Sequence, residues 1–169
     1  KDKPALAMTY MSKANSLSLL SKNREALSYY VKAYDIFKSI NSAKEEASAV
    51  MGIGNIYLSM KSYNLSLKYY DQALVYFVRT KDSMLESYIL TNISEVYSEL
   101  KMIDKELEYQ RRSLSIKEKL DDDYGLVYSY THMSGLMAKH NIKDSALYFA
   151  NKAIEKSQKI NNLEFLTSS

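Results

Sequence analysis

Few residues in this chain have the type and spacing that chemistry would need. Asp121, Asp122 and Asp123 bring three carboxylates to one turn, but they lack the alternating ligands and central glycine of a calcium loop, so at most they hold a cation loosely. His132 and His140 are the only histidines, and they stand eight apart (140 − 132). Two metal ligands sharing a helix face sit one turn apart, so the spacing favours solvated or hydrogen-bonded imidazoles over a metal pair. Gly52-Ile53-Gly54-Asn55-Ile56-Tyr57 opens like a dinucleotide fingerprint, but its third glycine would fall on Tyr57 and no strand precedes it. Arg111-Arg112 is a short basic pair on what reads as a solvated helix face. Cysteine is absent, which removes thiolate nucleophiles, disulfides and cysteine metal sites together. With no nucleophile–base pair and no metal pattern, the expectation is a non-catalytic protein without a cofactor.

The elements that carry these residues follow a strict period. Ala26-Leu27 returns as Ser66-Leu67, Glu106-Leu107 and Ala146-Leu147, each step being 40 residues (66 − 26, 106 − 66, 146 − 106). The same step takes Tyr29 to Tyr69, Tyr109 and Phe149, and Ala33 to Ala73, Ser113 and Ala153. It takes Ala14 to Gly54, Ser94 and Ser134, and Leu17 to Tyr57, Tyr97 and Met137. Repeats of this length make arrays in which each unit buries its apolar face only against its neighbours. Within a unit, Val50, Ile53, Gly54 and Tyr57 share one helical face, and Tyr70, Ala73, Leu74 and Phe77 share another. Each unit is therefore a pair of helices. The predicted helices run over about 5–20, 24–40, 44–60, 64–80, 84–100, 104–120, 124–139 and 144–160, with a ninth opening at Glu164.

Polar pairs at Asn41-Ser42, Lys81-Asp82, Asp121-Asp122 and Asn161-Asn162 separate the units, and their Asn and Asp side chains suit the cap of the following helix. Pro4 fits a first helical turn. The small residues at 14/54/94/134 and 26/66/146 imply that the two helices of a hairpin cross closely. The tyrosine pairs at 29–30 and 69–70 read as packing around that crossing. Glu106 breaks its column, and the expectation is a looser third hairpin or a carboxylate reaching outward. With 4 glycines and 1 proline, 46% apolar and 25% charged residues, the composition is that of an all-helical globular chain. The formal charge of +3 is mild and dispersed, not a nucleic-acid footprint, and no apolar run is long enough to cross a membrane. The chain opens on Lys1 without a Met or a signal-like stretch, which suggests a longer natural sequence, and cytoplasm and periplasm both stay open.

Ile53-Gly54…Tyr57, Tyr63, Ser66…Tyr70 and Ala73 resemble the tetratricopeptide repeat (TPR), in the longer-period variety of bacterial, Bacteroides-like regulators and sensors. The closing proline is missing, and Tyr10, Val50, Leu90 and Tyr130 replace the initial tryptophan. HEAT and armadillo repeats have similar periods, but the small-residue and tyrosine columns favour TPR. The resemblance implies an all-α solenoid, a right-handed superhelix over 1–169, with repeats at about 4–42, 43–82, 83–122 and 123–162 and the start of a fifth at 163–169. It implies that the first helix of each hairpin lines a concave groove that binds a protein or peptide partner.

The residues that spacing places on that groove are Met8, Met11, Asn15, Met51, Asn55, Tyr88, Thr91, Glu95, Tyr128 and Thr131. A carboxamide both donates and accepts, so Asn15 and Asn55 could pair with a peptide backbone whatever its side chains. Met adapts to varied apolar partners, and Tyr offers flat contact at low entropic cost. The subtype that clamps a terminal carboxylate needs Lys or Arg in the groove, where this chain has Met11, Met51, Tyr88 and Thr91. The alternative is that the array forms the sensory or dimerising region of a larger bacterial transcription regulator or histidine kinase, in which case a homodimer is compatible. Neither reading has this segment bind nucleic acid directly or insert into a membrane.

Overall fold

The computed structural model describes residues 2–167. Among them, eight helices follow one another: α1 (Lys3–Leu19), α2 (Asn23–Ser39), α3 (Ala43–Ser59), α4 (Tyr63–Thr80), α5 (Ser83–Glu99), α6 (Ile103–Lys119), α7 (Asp123–Lys139) and α8 (Lys143–Thr167). No described helix is long and apolar enough to cross a membrane.

What stops the helices is a left-handed residue at every twentieth position. Ser21, Asn41, Lys61, Lys81, Lys101, Asp121 and Asn141 all have φ between 50° and 59°, and none is glycine. The next backbone N–H then closes back over the last turn, as Lys22 N does onto the Leu17 carbonyl at 2.9 Å. The same closure joins Ser62 to Tyr57, Met102 to Tyr97 and Ile142 to Met137, satisfying a carbonyl that the helix end would leave open. Half of the 40-residue period is thus a helix and its reversal. In the polar pairs that punctuate the repeats, the first residue takes the left-handed conformation. Capping falls to the second: Asp82 accepts from Leu85 N at 3.3 Å and Asp122 from Gly125 N at 3.0 Å. Ser42 makes no such bond and instead donates to Glu45 at 2.7 Å. Asp2 caps α1 through Ala5 N, with Pro4 in the first turn.

The C-terminal end departs from the sequence expectation. Asn161-Asn162 brings no left-handed residue, and α8 continues through it to Thr167. Residues 163–167 therefore continue the last helix, where a ninth helix was expected to open at Glu164. A left-handed turn costs a non-glycine residue about 1–2 kcal/mol. At the other seven ends the packing of the next helix offsets it.

The first two hairpins close around small residues facing aromatics. A Cβ on Gly54 would stand 2.7 Å from the Tyr70 ring, so the two helices can cross this closely only with hydrogen at that position. Tyr30, Tyr70, Phe37 and Phe77 are buried on the second helices, against Ala14, Ala47, Ile53 and Ile56 on the first. The outer tyrosines pair across the hairpin: Tyr57 stacks on Tyr69 at 5.3 Å and Tyr97 on Tyr109 at 5.4 Å.

α1 touches α3 and α3 touches α5, whereas no two even-numbered helices meet among the described residues. The odd-numbered helices therefore form the inner, concave layer of the solenoid.

The left-handed lysines give a direct test. Lys61→Gly and Lys101→Gly should each stabilise the protein by about 1 kcal/mol, because glycine accepts positive φ without a steric cost. Urea unfolding followed by circular dichroism should show a higher midpoint with unchanged slope; a lower midpoint would mean that the lysine side chains contribute more than the turn costs.

Candidate functional site

The inner face is built by side chains that project from α1, α3, α5 and α7. Of the residues that spacing placed there, Met8, Tyr88 and Tyr128 are exposed, at 52%, 43% and 57%, and Asn15, Asn55, Glu95 and Thr131 are also open to solvent. Met11 and Met51 are not free contact surface. They are half-buried and pack on the apolar clusters between hairpins. Thr91 is likewise turned inward: its hydroxyl donates to the Ser87 carbonyl at 3.0 Å, lies 2.8 Å from Ser113 Oγ and accepts from Lys117 Nζ at 3.1 Å.

The two asparagines do less than a free carboxamide could. Tyr70 Oη donates to Asn55 Oδ1 at 2.7 Å, and Asn92 Nδ2 donates to the same oxygen at 3.0 Å. Tyr30 Oη donates to Asn15 Oδ1. The buried tyrosines, whose hydroxyl pKa values are raised by desolvation, thus use the asparagine oxygens as partners. That leaves the Nδ2 hydrogens of Asn55 and Asn15 as the groups offered outward. Asn55, Asn92, Glu95, Leu58 and Ser59 surround a cleft of about 350 Å³ with the Tyr70 side chain in its wall. It presents amide donors beside a carboxylate acceptor. A larger recess of about 410 Å³ lies between α2, α3 and α4, lined by Tyr34, Glu46, Gln72, Tyr76 and Arg79. The exposed tyrosines and the asparagines lie together on the inner face.

The third repeat is different inside. The stripe of α2 that faces the core is Ala26, Tyr30, Ala33 and Phe37, and that of α4 is Ser66, Tyr70, Ala73 and Phe77. In α6 the same positions are Glu106, Gln110, Ser113 and Lys117, all buried. Glu106, expected to loosen its hairpin or reach outward, does neither. It is 3% exposed, and its Oε1 stands 3.9 Å from His132 Nε2 on α7. Gln110 takes the place of the tyrosine and accepts from Ser94 Oγ at 2.9 Å, while its Nε2 has no partner. Lys117 takes the place of the phenylalanine and is only 1% exposed. Its ammonium donates to Thr91 Oγ1 and to Ser129 Oγ at 2.9 Å, and its pKa is lowered by burial. The column break at 37/77/117, as plain as the one at Glu106, was the signal by which this cluster could have been found.

The residues first considered for chemistry have structural roles. Asp121 is a left-handed residue, Asp122 is a cap, and Asp123 pairs with Lys156 at 2.6 Å and Lys159 at 2.7 Å. The hydrogen bond from Lys156, then that from Lys159, holds the Asp123 carboxyl below its usual pKa. His132 lies flat beside the Tyr128 ring, with its Nδ1 unpartnered, and Nε2 of His140 is buried without a partner. Arg111 and Arg112 are exposed, and Arg112 sits over the Tyr109 ring. No group of three metal-binding side chains occurs among the described residues.

A gapless row of two-helix units, curved with its first helices inside and its small residues at the crossing, has the marks of one repeat type. Residues 45–119 match the tetratricopeptide repeat family. No curated protein matches the chain. Among solved structures, the chain superposes on aspartyl phosphate phosphatase F from Bacillus subtilis with a TM-score of 0.91 at 18% identity, over 99% of this chain and 44% of that one. It superposes on the Rap conjugation gene regulator of plasmid pLS20, solved in complex with the Phr* peptide, with a TM-score of 0.84 at 16% identity, over 99% and 46%. BtubC (BKLC) from P. vanneervenii follows with a TM-score of 0.83 at 16% identity, over 95% and 66%. The chain thus spans about half the length of the first two and 66% of the third. At these identities the likeness is one of fold: an all-α helical repeat solenoid.

Lys117 makes a measurable demand on this solenoid. Replacing a buried charge by an apolar side chain of similar length is often neutral or stabilising, by about 1–4 kcal/mol. Lys117→Met should therefore stabilise the fold. The difference should also shrink with pH. The folded lysine has a lowered pKa, so its destabilising effect is complete below that pKa and is relieved as pH rises from there towards the ordinary lysine value. Urea midpoints of both proteins between neutral pH and pH ~10 should converge; a gap that widens would reverse the sign.

Proposed function

We propose that this chain is a non-catalytic protein- or peptide-binding scaffold, whose concave face takes an extended segment of a partner. The observation that carries the proposal is the inner row itself. Asn55 and Asn92 meet at one cleft with Glu95, and Tyr88 and Tyr128 stand exposed one repeat apart on the same face. Outward amide N–H groups suit peptide carbonyls, the Glu95 carboxylate suits peptide N–H groups or a basic side chain, and the two rings supply rigid apolar contact. The Phr* peptide complex of the pLS20 Rap regulator supports the reading, since that protein shares the fold over this whole region. Met8, Asn15 and Thr131 would extend the surface, while Met11, Met51 and Thr91 would shape it from behind. A finer proposal is that the array is the sensory or dimerising region of a larger bacterial transcription regulator or histidine kinase; an output domain in the full coding sequence would test it.

Binding should be tested away from the residues that hold the fold. Asn55→Ala would strip the Tyr70 hydroxyl of its partner, at a cost of about 1–3 kcal/mol in stability, and so confuses folding with recognition. Tyr88→Ala and Tyr128→Ala change exposed side chains. Against peptides selected on the wild-type protein from a random library, each should weaken binding by ~1–2 kcal/mol. Unchanged affinity in the double variant, with an unchanged circular dichroism spectrum, would remove the groove reading.

A further inference from the structure

Among the described residues no Cα of α5 comes within 8 Å of one of α7, whereas α1 and α3, and α3 and α5, approach that closely. The inner helices therefore stand further apart between the third and fourth repeats, leaving a wider gap between their backbones. Into this opening, from the helix behind it, reaches Lys117 of α6. Its Nζ lies 6.0 Å from the centre of the Tyr88 ring on α5 and 6.0 Å from that of the Tyr128 ring on α7. Thr91 of α5 and Ser129 of α7 accept two of its three hydrogens. Among the described residues no carboxylate pairs with it, the Asp122 charge acting only from a distance. A fully buried ammonium that has only hydroxyls for partners is costly to keep, by several kcal/mol. Here it stands where the two preceding repeats have Phe37 and Phe77.

We propose that Lys117 is an anion-recognising point at the floor of the groove, and that the partner places a carboxylate between Tyr88 and Tyr128 to meet it. This rests on the groove reading above and adds its charge chemistry. The two rings are half in solvent and cover the ammonium, so rotation about their χ1 angles admits a group from the concave side. One remaining N–H, in a slot between two aromatic faces, suits a small monoanion. A phosphate dianion would need more donors than Thr91, Ser129 and one ammonium hydrogen supply. The lysine comes from the second helix of a hairpin, behind the groove wall, which is why a search of the first helices finds no basic residue. A chain-terminal carboxylate and an Asp or Glu side chain offer the same chemistry.

The test uses random nine-residue peptides with free C termini, selected for binding to the wild-type protein. Each binder is then remade with an amidated C terminus, and separately with Asp and Glu replaced by Asn and Gln. One of these changes should weaken binding at least ten-fold, and which one identifies the source of the carboxylate. Lys117→Met should lose the same factor for the free-acid peptide and be indifferent to its capping, and the Cε resonance of Lys117 should shift when the free-acid peptide is added. If Lys117→Met fails to fold, Lys117→Gln and the resonance shift decide. Equal binding of the free-acid peptide by wild type and Lys117→Met, or preference for a phosphorylated peptide, overturns the proposal. If binding then still depends on Tyr88 and Tyr128, the groove reading survives alone. If no peptide binds, both fall.

Discussion

The structure depends on how closely two helices can cross inside one hairpin. At Gly54 the limit is a single hydrogen, since a methyl group would press on the Tyr70 ring. From that contact the rest follows in order. A ring that fills the crossing must bury its hydroxyl near the inner surface, and a buried hydroxyl needs an acceptor. The acceptor is the asparagine one residue beyond the small position, Asn15 for Tyr30 and Asn55 for Tyr70. The inner face thus acquires its asparagines as a consequence of packing. Their oxygens are committed inward, and what remains for a partner is the N–H side. Groove chemistry and core chemistry are here one set of bonds.

That coupling explains why the third repeat changes as a block. Once Gln110 replaces the tyrosine, Ser94 sits at the small position, bonded to the glutamine. The asparagine is no longer required as an acceptor, and Glu95 occupies its place in the open. With Ser113 and Lys117 the hydroxyl and ammonium network spreads across to α7 through Ser129. Polar groups hold fixed directions and distances where apolar ones only need contact. The junction of α6 with α7 is accordingly sparser than those of the preceding repeats, and the inner helices part beside it. The array keeps its period while exchanging packing for a polar interior at one joint.

Period, the paired helices of each unit and the hairpin crossing were legible because they rest on residue size and on spacing, both of which a repeating sequence displays four times over. The reversal was half legible: Asn41 and Asp121 announced it, but Lys61, Lys81 and Lys101 take the same backbone conformation with no propensity for it, imposed by the packing of the following helix. The direction of the asparagine oxygens was not legible at all, since it is decided by a hydroxyl fifteen residues away. Met11, Met51 and Thr91, expected on the groove surface, turn partly inward for a related reason. Helical spacing places a residue on a face, but a curved array presses part of that face against the next hairpin.

Glu106 carries the same lesson further. One charged residue in a small-residue column suggests a defect, and by itself it would be one. It becomes intelligible only with the residues one, two and three turns on, Gln110, Ser113 and Lys117, which share its stripe and its burial. Buried polar groups are tolerated when they satisfy one another, and the unpartnered atoms that remain, Gln110 Nε2 and His132 Nδ1, lie on the two sides of the α6–α7 junction. A repeat protein can substitute such a set in one unit without disturbing the others, because each unit answers only to its neighbours. The position of the set then carries its own meaning: of the inner-layer gaps between successive repeats, it stands behind the one whose helices are furthest apart.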